Sequence, residues 1–166
     1  MKNIRLFFLM GIVLFAGGQS LFSQSKKEKR EKRALEVKER IESKRFTIDV
    51  DRAIPVGGQS INLTSPYSLE MRGDSVISYL PYFGRAYSVP YGGGDGLRFN
   101  QSITGYTCTF GKKGKTHIHF ATRTDDDIYR FDIQVFSNGS ATISVLPAHK
   151  QSITFQGAIA LPRKEE

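Results

Sequence analysis

The chain has 166 residues and a formal net charge of +8, yet most of its excess positive charge lies in one short segment. Residues 26–45 hold ten Lys or Arg against five Glu, a balance of +5, whereas residues 46–166 hold twelve against eleven acidic residues, a balance of +1. A nucleic-acid-binding domain would spread its Lys and Arg over a folded face, so this distribution argues against nucleic acid as a partner.

The N-terminus carries the pattern of a secretory signal peptide. Lys2 and Arg5 form a positive start, residues 6–16 are apolar, and small or polar residues follow. The apolar run is shorter than the ~20 residues that a membrane-spanning helix requires. We therefore predict that residues 1–23 are a signal peptide and that the protein is exported to the periplasm or the outer envelope. Because no cysteine lies near the apolar run, we also predict that it is not a lipoprotein.

Residues 24–45 are predicted to form a charged helix, because they contain helix-forming residues and neither Gly nor Pro. The second half carries an apolar stripe at helical spacing, made of Ala34, Val37 and Ile41, with Leu35 beside it. We predict that this stripe packs on the folded domain, whereas residues 26–32 have no apolar group to bury. The alternative is that the basic segment 26–45 contacts an anionic surface, such as lipid headgroups or an acidic glycan.

From Phe46 the apolar pattern changes from helical to alternating, which predicts β-strands. An early hairpin turns at Arg72-Gly73-Asp74, and five later strands form an antiparallel meander. The strongest turn signal is Asn138-Gly139, because both residues tolerate the positive φ of a type I′ turn. The predicted fold is mainly β: the N-terminal helix followed by a curved antiparallel sheet or a small barrel of seven to nine strands, in one domain over residues 46–166.

A stretch of unusual composition, residues 80–99, separates the early hairpin from the meander. Its sequence, LPYFGRAYSVPYGGGDGLRF, combines aromatic rings with two prolines and a glycine run. Tyrosines give rigid contact area with hydrogen-bonding tips, and arginines can pair an acidic group, so we predict a ligand-binding surface here. The candidate residues are Tyr82, Phe83, Arg85, Tyr87, Tyr91 and Arg98. The alternative is that these aromatic rings close one end of the β core.

Three separated segments carry a resemblance to a known family. With LPYFGRAYSVPYGGGDGLRF, the segments FSNGSATISV (136–145) and QSITFQGAI (151–159) make the chain similar to the domain of unknown function 4251 family of small exported bacterial proteins. The similarity covers most of residues 30–160. It implies export and a shared β-rich domain, and it implies no activity, because the function of the family is unassigned.

His117 and His119 stand two residues apart on a predicted strand, so both rings leave the same face of the sheet. Such a pair can hold zinc if a third ligand converges, and His149 or an Asp from residues 125–127 could supply it. Ile118 takes the core side, which places the two histidines on the polar face. We predict that they do not hold a structural metal and that the protein needs no cofactor.

No motif in the sequence indicates an enzyme. The glycine run 92–94 lacks the Gly-Lys-Ser/Thr ending of a phosphate-binding loop, and neither G-x-S-x-G nor H-E-x-x-H occurs. Cys108 alternates with apolar residues, which predicts a buried small side chain rather than a nucleophile. Two functions remain. One is a non-catalytic binding or accessory module for a glycan, a small apolar ligand or an envelope protein; the other is a structural envelope protein docked through its basic helix, with no ligand site.

Overall fold

The computed structural model describes residues 18–85 and 96–161, in which one helix precedes eight strands. The helix α1 spans Gly18–Glu42, and the strands are β1 Arg45–Pro55, β2 Ile61–Arg72, β3 Ser75–Leu80, β4 Leu97–Phe110, β5 Lys115–Arg123, β6 Ile128–Phe136, β7 Ser140–Pro147 and β8 Ile153–Ile159. Every strand pairs antiparallel with its neighbour in the chain, and β1 also pairs with β8. The sheet is therefore a closed barrel. The predicted mainly β fold with a five-strand meander, β4 to β8, is confirmed.

The helix and one strand differ from their predicted bounds. The helix α1 begins at Gly18 and ends at Glu42, whereas the sequence predicted residues 24–45. The strand β4 begins at Leu97, because Leu97 pairs with Leu80 at the end of β3 and so brings residues 97–99 into the sheet. Most of the predicted signal peptide lies outside the described residues, and its removal stays a prediction. No helix in the described part of the chain is long and apolar enough to cross a membrane.

Side chains fill the interior of the barrel. Strands β5, β6 and β7 alternate buried and more exposed residues, so every second side chain points inward. Aromatic rings from nearby strands stack in the interior: the ring centroids of Phe99 and Tyr129 lie 5.2 Å apart, and those of the cross-strand pair Phe120 and Phe131 lie 4.8 Å apart. Offset stacking of this kind adds to the free energy gained by burial, and it makes the interior a packed core rather than a channel.

The seam between β1 and β8 depends on a glycine. Val50 pairs with Gly157, and the pairing register of β1 shifts between Val50 and Arg52. A Cβ on Gly157 would lie 2.9 Å from the Cα of Val50 and 2.9 Å from the carbonyl carbon of Asp49. Backbone atoms cannot move aside as a flexible side chain can, so glycine is required here for space.

Turns alternate between the two ends of the barrel, as antiparallel neighbours require. The β2–β3, β4–β5 and β6–β7 turns share the end at which α1 enters β1, here called the helix end. The four other connections leave and rejoin the sheet at the opposite end, here called the loop end, and they include the described residues 81–85 after β3. The basic helix therefore joins the barrel at one end, and the aromatic segment begins at the other end.

The helix α1 packs on the helix end of the barrel, which confirms the predicted role of its apolar stripe. Val37 is 3% exposed and Ile41 is 1% exposed, and both belong to the barrel core. Residues 25–33 are all exposed. After the helix, Lys44 adopts a positive φ of 51°, and its carbonyl accepts a hydrogen bond from Gly73 N–H at 2.8 Å. This bond fixes the corner between α1 and β1 to the β2–β3 turn.

We expect Ile41→Asp to lower the free energy of unfolding by at least about 1.5–3 kcal/mol, the contribution of burying one large aliphatic side chain. The control is Leu35→Asp, six residues earlier on the same helix, where the side chain is 60% exposed and the change should stay within about 0.5 kcal/mol. Urea denaturation followed by circular dichroism measures both variants. Equal stability of the two variants would mean that α1 does not dock on the barrel.

Candidate functional site

Tyr82, the first of the predicted ligand residues, is part of the internal structure of the loop end. Its hydroxyl donates a hydrogen bond to the carbonyl of Gln151 at 2.7 Å and lies 3.2 Å from the carbonyl of Arg85. Its half-buried ring packs against the barrel core, and the ammonium of the buried Lys150 lies 5.9 Å from the ring centroid. Tyr82 thus joins the β3–β4 connection to the β7–β8 connection, as the alternative reading of the aromatic segment predicts.

Among the other predicted ligand residues that the structure describes, Arg85 contacts the Tyr82 hydroxyl through its main-chain carbonyl. Phe83 is 43% exposed. Arg85 is exposed, and its N–H lies 3.4 Å from the side-chain oxygen of Gln151. Arg98 lies in β4 rather than in a loop, and its guanidinium stacks 4.6 Å from the ring centroid of Tyr79. The two remaining candidates, Tyr87 and Tyr91, lie outside the described residues.

Asp127, which the sequence indicated only within residues 125–127 as a candidate third zinc ligand, organises the loop end. Its carboxylate is fully buried and accepts hydrogen bonds from the N–H groups of Ile128 at 2.7 Å, Ala148 at 3.0 Å and His149 at 3.2 Å. The Nδ1 atom of His149 lies 3.1 Å from the same carboxylate. These contacts fasten the β5–β6 turn to the β7–β8 connection.

His117 and His119 lie on the outer face of β5, as predicted, and the His119 side chain is 51% exposed. The third member of this group is Asp132, which pairs directly with His119 in the β5–β6 ladder. One donor atom from each of the three side chains lies within 4.8 Å of the others. The third ligands suggested by the sequence are not part of this group, because His149 contacts Asp127 at the loop end.

An apolar groove of about 490 Å³, here called the helix groove, separates part of α1 from the helix end of the barrel. Its lining is mostly apolar and consists of Ala34, Leu35, Val37, Phe110, Gly114, Thr116 and Ser137, with the charged Glu31 and Lys38. Leu35 is 60% exposed and Phe110 is 47% exposed, although both are large apolar side chains. Neighbouring exposed side chains of this size commonly mark a surface that binds a partner or ligand.

Cys108, predicted to be buried, is only half-buried, because this end of β4 lies at the barrel rim, where its inward side is incompletely covered. Partial burial raises the pKa of the Cys108 thiol, and it raises the pKa of the neighbouring Tyr106 to about 12. A raised thiol pKa leaves less of the reactive thiolate at neutral pH. The position therefore remains a poor one for a nucleophile.

Residues 27–159 match the family described as a domain of unknown function, DUF4251. The chain belongs to the DUF4251 family. The resemblance found in the sequence is thereby confirmed. This DUF4251 chain is also similar to the crystal structure of a DUF4251 family protein from Bacteroides eggerthii, with 14% identity, a TM-score of 0.62, and coverage of 76% of this chain and 86% of that chain. At that identity the similarity concerns the fold alone. No curated protein matches the sequence.

In this DUF4251 protein we expect Asp127→Ala to lower the free energy of unfolding by at least about 2 kcal/mol. The reason is that three main-chain donors lose a charged acceptor, and one hydrogen bond to a charged group contributes about 1.5–3 kcal/mol. The matched control is Asp126→Ala, which removes an exposed carboxylate from the same turn. Thermal and urea unfolding measure both, and a loss of equal size in the two variants would contradict the role of Asp127.

Proposed function

We propose that this protein is an exported, non-catalytic binding module that holds the apolar chain of a small amphiphile in the helix groove. The observation that carries the proposal is the pair of exposed side chains Leu35 and Phe110 on the lining of that groove. Its volume of about 490 Å³ falls in the range of ligand sites, which is roughly 300–1,000 Å³. One aliphatic chain would cover both side chains and remove their apolar surface from water.

The charge around the helix groove favours an anionic head group on that amphiphile. Lys38 lines the groove, and the basic turn Lys112–Gly114 borders it through its glycine. Glu31 also lines the groove, and both ionisable lining residues have a partner on the helix: Lys27 lies 3.9 Å from the carboxylate of Glu31, and the ammonium of Lys38 lies 3.6 Å from the carboxylate of Glu42. The positive charge that a carboxylate or phosphate at the mouth of the groove would meet therefore comes from the bordering basic turn and from the helix as a whole, since residues 26–45 have a balance of +5.

Binding without catalysis is supported by the chemistry of the lining. The described lining residues offer the hydroxyl groups of Thr116 and Ser137 but no histidine or cysteine, and the two ionisable ones, Glu31 and Lys38, are each in an ion pair with a residue of the helix. A hydroxyl nucleophile needs an adjacent base to become reactive. Export is supported by the order of charged, apolar and small residues in the first 23 positions, and an exported protein of this kind would meet membrane-derived amphiphiles.

We expect the protein to bind laurate in a 1:1 complex, and Leu35→Glu to weaken this binding at least tenfold. A carboxylate at position 35 would place charge against the apolar chain and repel the anionic head, whereas a side chain that is 60% exposed contributes little to folding. Isothermal titration calorimetry, at laurate concentrations below those that form micelles, measures the dissociation constant.

The control for this titration is Val56→Glu. Val56 is 54% exposed and follows β1 at the loop end, so the substitution makes the same change of charge far from the helix groove. Laurate affinity should stay at the parent value. Equal weakening by the two variants, or no binding by the parent protein, would contradict the proposed ligand. Export is tested separately by intact-mass measurement of the protein recovered from the cell envelope, where retention of residues 1–16 would contradict it.

A second candidate function, a structural envelope protein docked through its basic helix, is favoured by the exposed segment 25–33. This segment contains six Lys or Arg and two Glu, a balance of +4, and none of its side chains is buried. Sedimentation with vesicles of phosphatidylglycerol tests this candidate, with a variant lacking residues 26–32 as control. Vesicle binding that depends on this segment, in a protein that does not bind laurate, would favour the structural function.

A further inference from the structure

Three side chains with donors suited to zinc share one patch on the outer face of the barrel. His117 and His119 are two residues apart on β5, and their neighbour Ile118 is fully buried, so both rings point outward. Asp132 on β6 pairs with His119, and the adjacent Phe131 points into the core. Directly opposed residues of an antiparallel pair have Cβ atoms about 4.5–5.5 Å apart, which brings a carboxylate to an imidazole without any long loop.

The distances within this patch are close to those of a metal site. The Nδ1 atom of His119 lies 3.5 Å from a carboxylate oxygen of Asp132, and the three donor atoms all lie within 4.8 Å of one another. With zinc–ligand bonds of about 2.0–2.2 Å, tetrahedral donors lie roughly 3.3 Å apart. Small rotations of the exposed side chains would bring the donor atoms to that separation, because the His119 side chain is 51% exposed and does not pack in the core.

One oxygen of Asp132 provides an independent observation. Its Oδ1 atom is shielded from solvent and accepts no hydrogen bond from the described residues, although the rest of the carboxylate is reached by water. Buried carboxylate oxygens are normally bonded, because an acceptor without a partner loses its solvation and gains nothing in return. The oxygen that lies 3.5 Å from His119 is the other one, Oδ2, so a cation held by both oxygens of Asp132 would supply the partner that Oδ1 lacks.

The geometry points to an exchangeable zinc site formed by His117, His119 and Asp132. Two imidazole nitrogens and one carboxylate oxygen suit zinc, whereas calcium and magnesium prefer sets made of oxygen atoms. Three protein ligands leave one position of a tetrahedron for water. His119 and Asp132 also line a surface depression of about 380 Å³, through which solvent can reach the ion. The barrel core is packed without the ion, so folding does not depend on zinc. Bound zinc would add to the stability of the folded state.

The test is a zinc titration of the full exported chain, prepared without a polyhistidine tag and freed of metal with EDTA. We expect one zinc ion per chain with a dissociation constant below about 0.1 mM, and at least hundredfold weaker binding of magnesium. Bound zinc should raise the melting temperature, since a ligand that binds only the folded state stabilises it. Imidazole resonances of His117 and His119 should shift in NMR spectra, while those of His149 should not.

Two variants and one control locate the site. His119→Ala and Asp132→Asn should each weaken zinc binding at least tenfold, because loss of even a supporting partner of a metal ligand weakens affinity by about 10–100-fold. The control is His149→Ala, which removes the remaining histidine of the chain. Melting temperatures without zinc should match the parent for the first two variants, which separates loss of ligation from loss of folding.

Three results would overturn the inference. The first is the absence of saturable zinc binding below about 0.1 mM. The second is unchanged affinity in His119→Ala or Asp132→Asn. The third is a shift of the His149 resonance, or a loss of affinity in His149→Ala equal to that of the other variants, which would place the ion at the loop end instead.

Discussion

The pairing of β1 with β8 is the contact on which the rest of the structure depends. An open sheet of eight strands would leave two edges with unpaired N–H and C=O groups, and closure removes both edges. Closure also separates an interior from an outer face and one end from the other. The helix groove exists because α1 lies across one end, and the histidine patch exists because β5 and β6 have an outer face. Gly157 permits the close approach at the seam that makes this arrangement possible.

Alternation of apolar residues was sufficient to predict the strands and their sides, but it could not distinguish a curved sheet from a barrel. Both have the same inward and outward pattern along each strand, and closure is decided by residues at opposite ends of the chain, such as Ile48 and Ile159. Alternation also placed His117 on the outer face correctly. Asp132 was missed, although pairing Arg123 with Ile128 across the intervening turn would have brought it opposite His119.

Composition alone was a weaker guide to the candidate site. The rings of residues 80–99 suggested a ligand surface, yet the hydroxyl of Tyr82 is bonded to Gln151, a partner 69 positions away that no local pattern reveals. Leu35 and Phe110 were not predicted as a site, because neither has an unusual sequence around it. Each is an ordinary apolar residue in its own element, and they become a shared surface only through the way α1 lies on the barrel rim. The helix groove therefore follows from tertiary packing rather than from a motif.

The order of the strands also has a consequence for how the chain reaches its native state. From β1 to β8 each strand pairs with its neighbour in the chain, and every connection except residues 81–96 between β3 and β4 is short, so it loses little entropy on closure and can form quickly. The β1–β8 seam joins Ile48 to Ile159 and must wait until the last strand is available. Until then, two strands present open edges to other chains. A high concentration of partly folded chains should therefore favour association through the edges of β1 and β8, until closure of the barrel pairs these edges with each other.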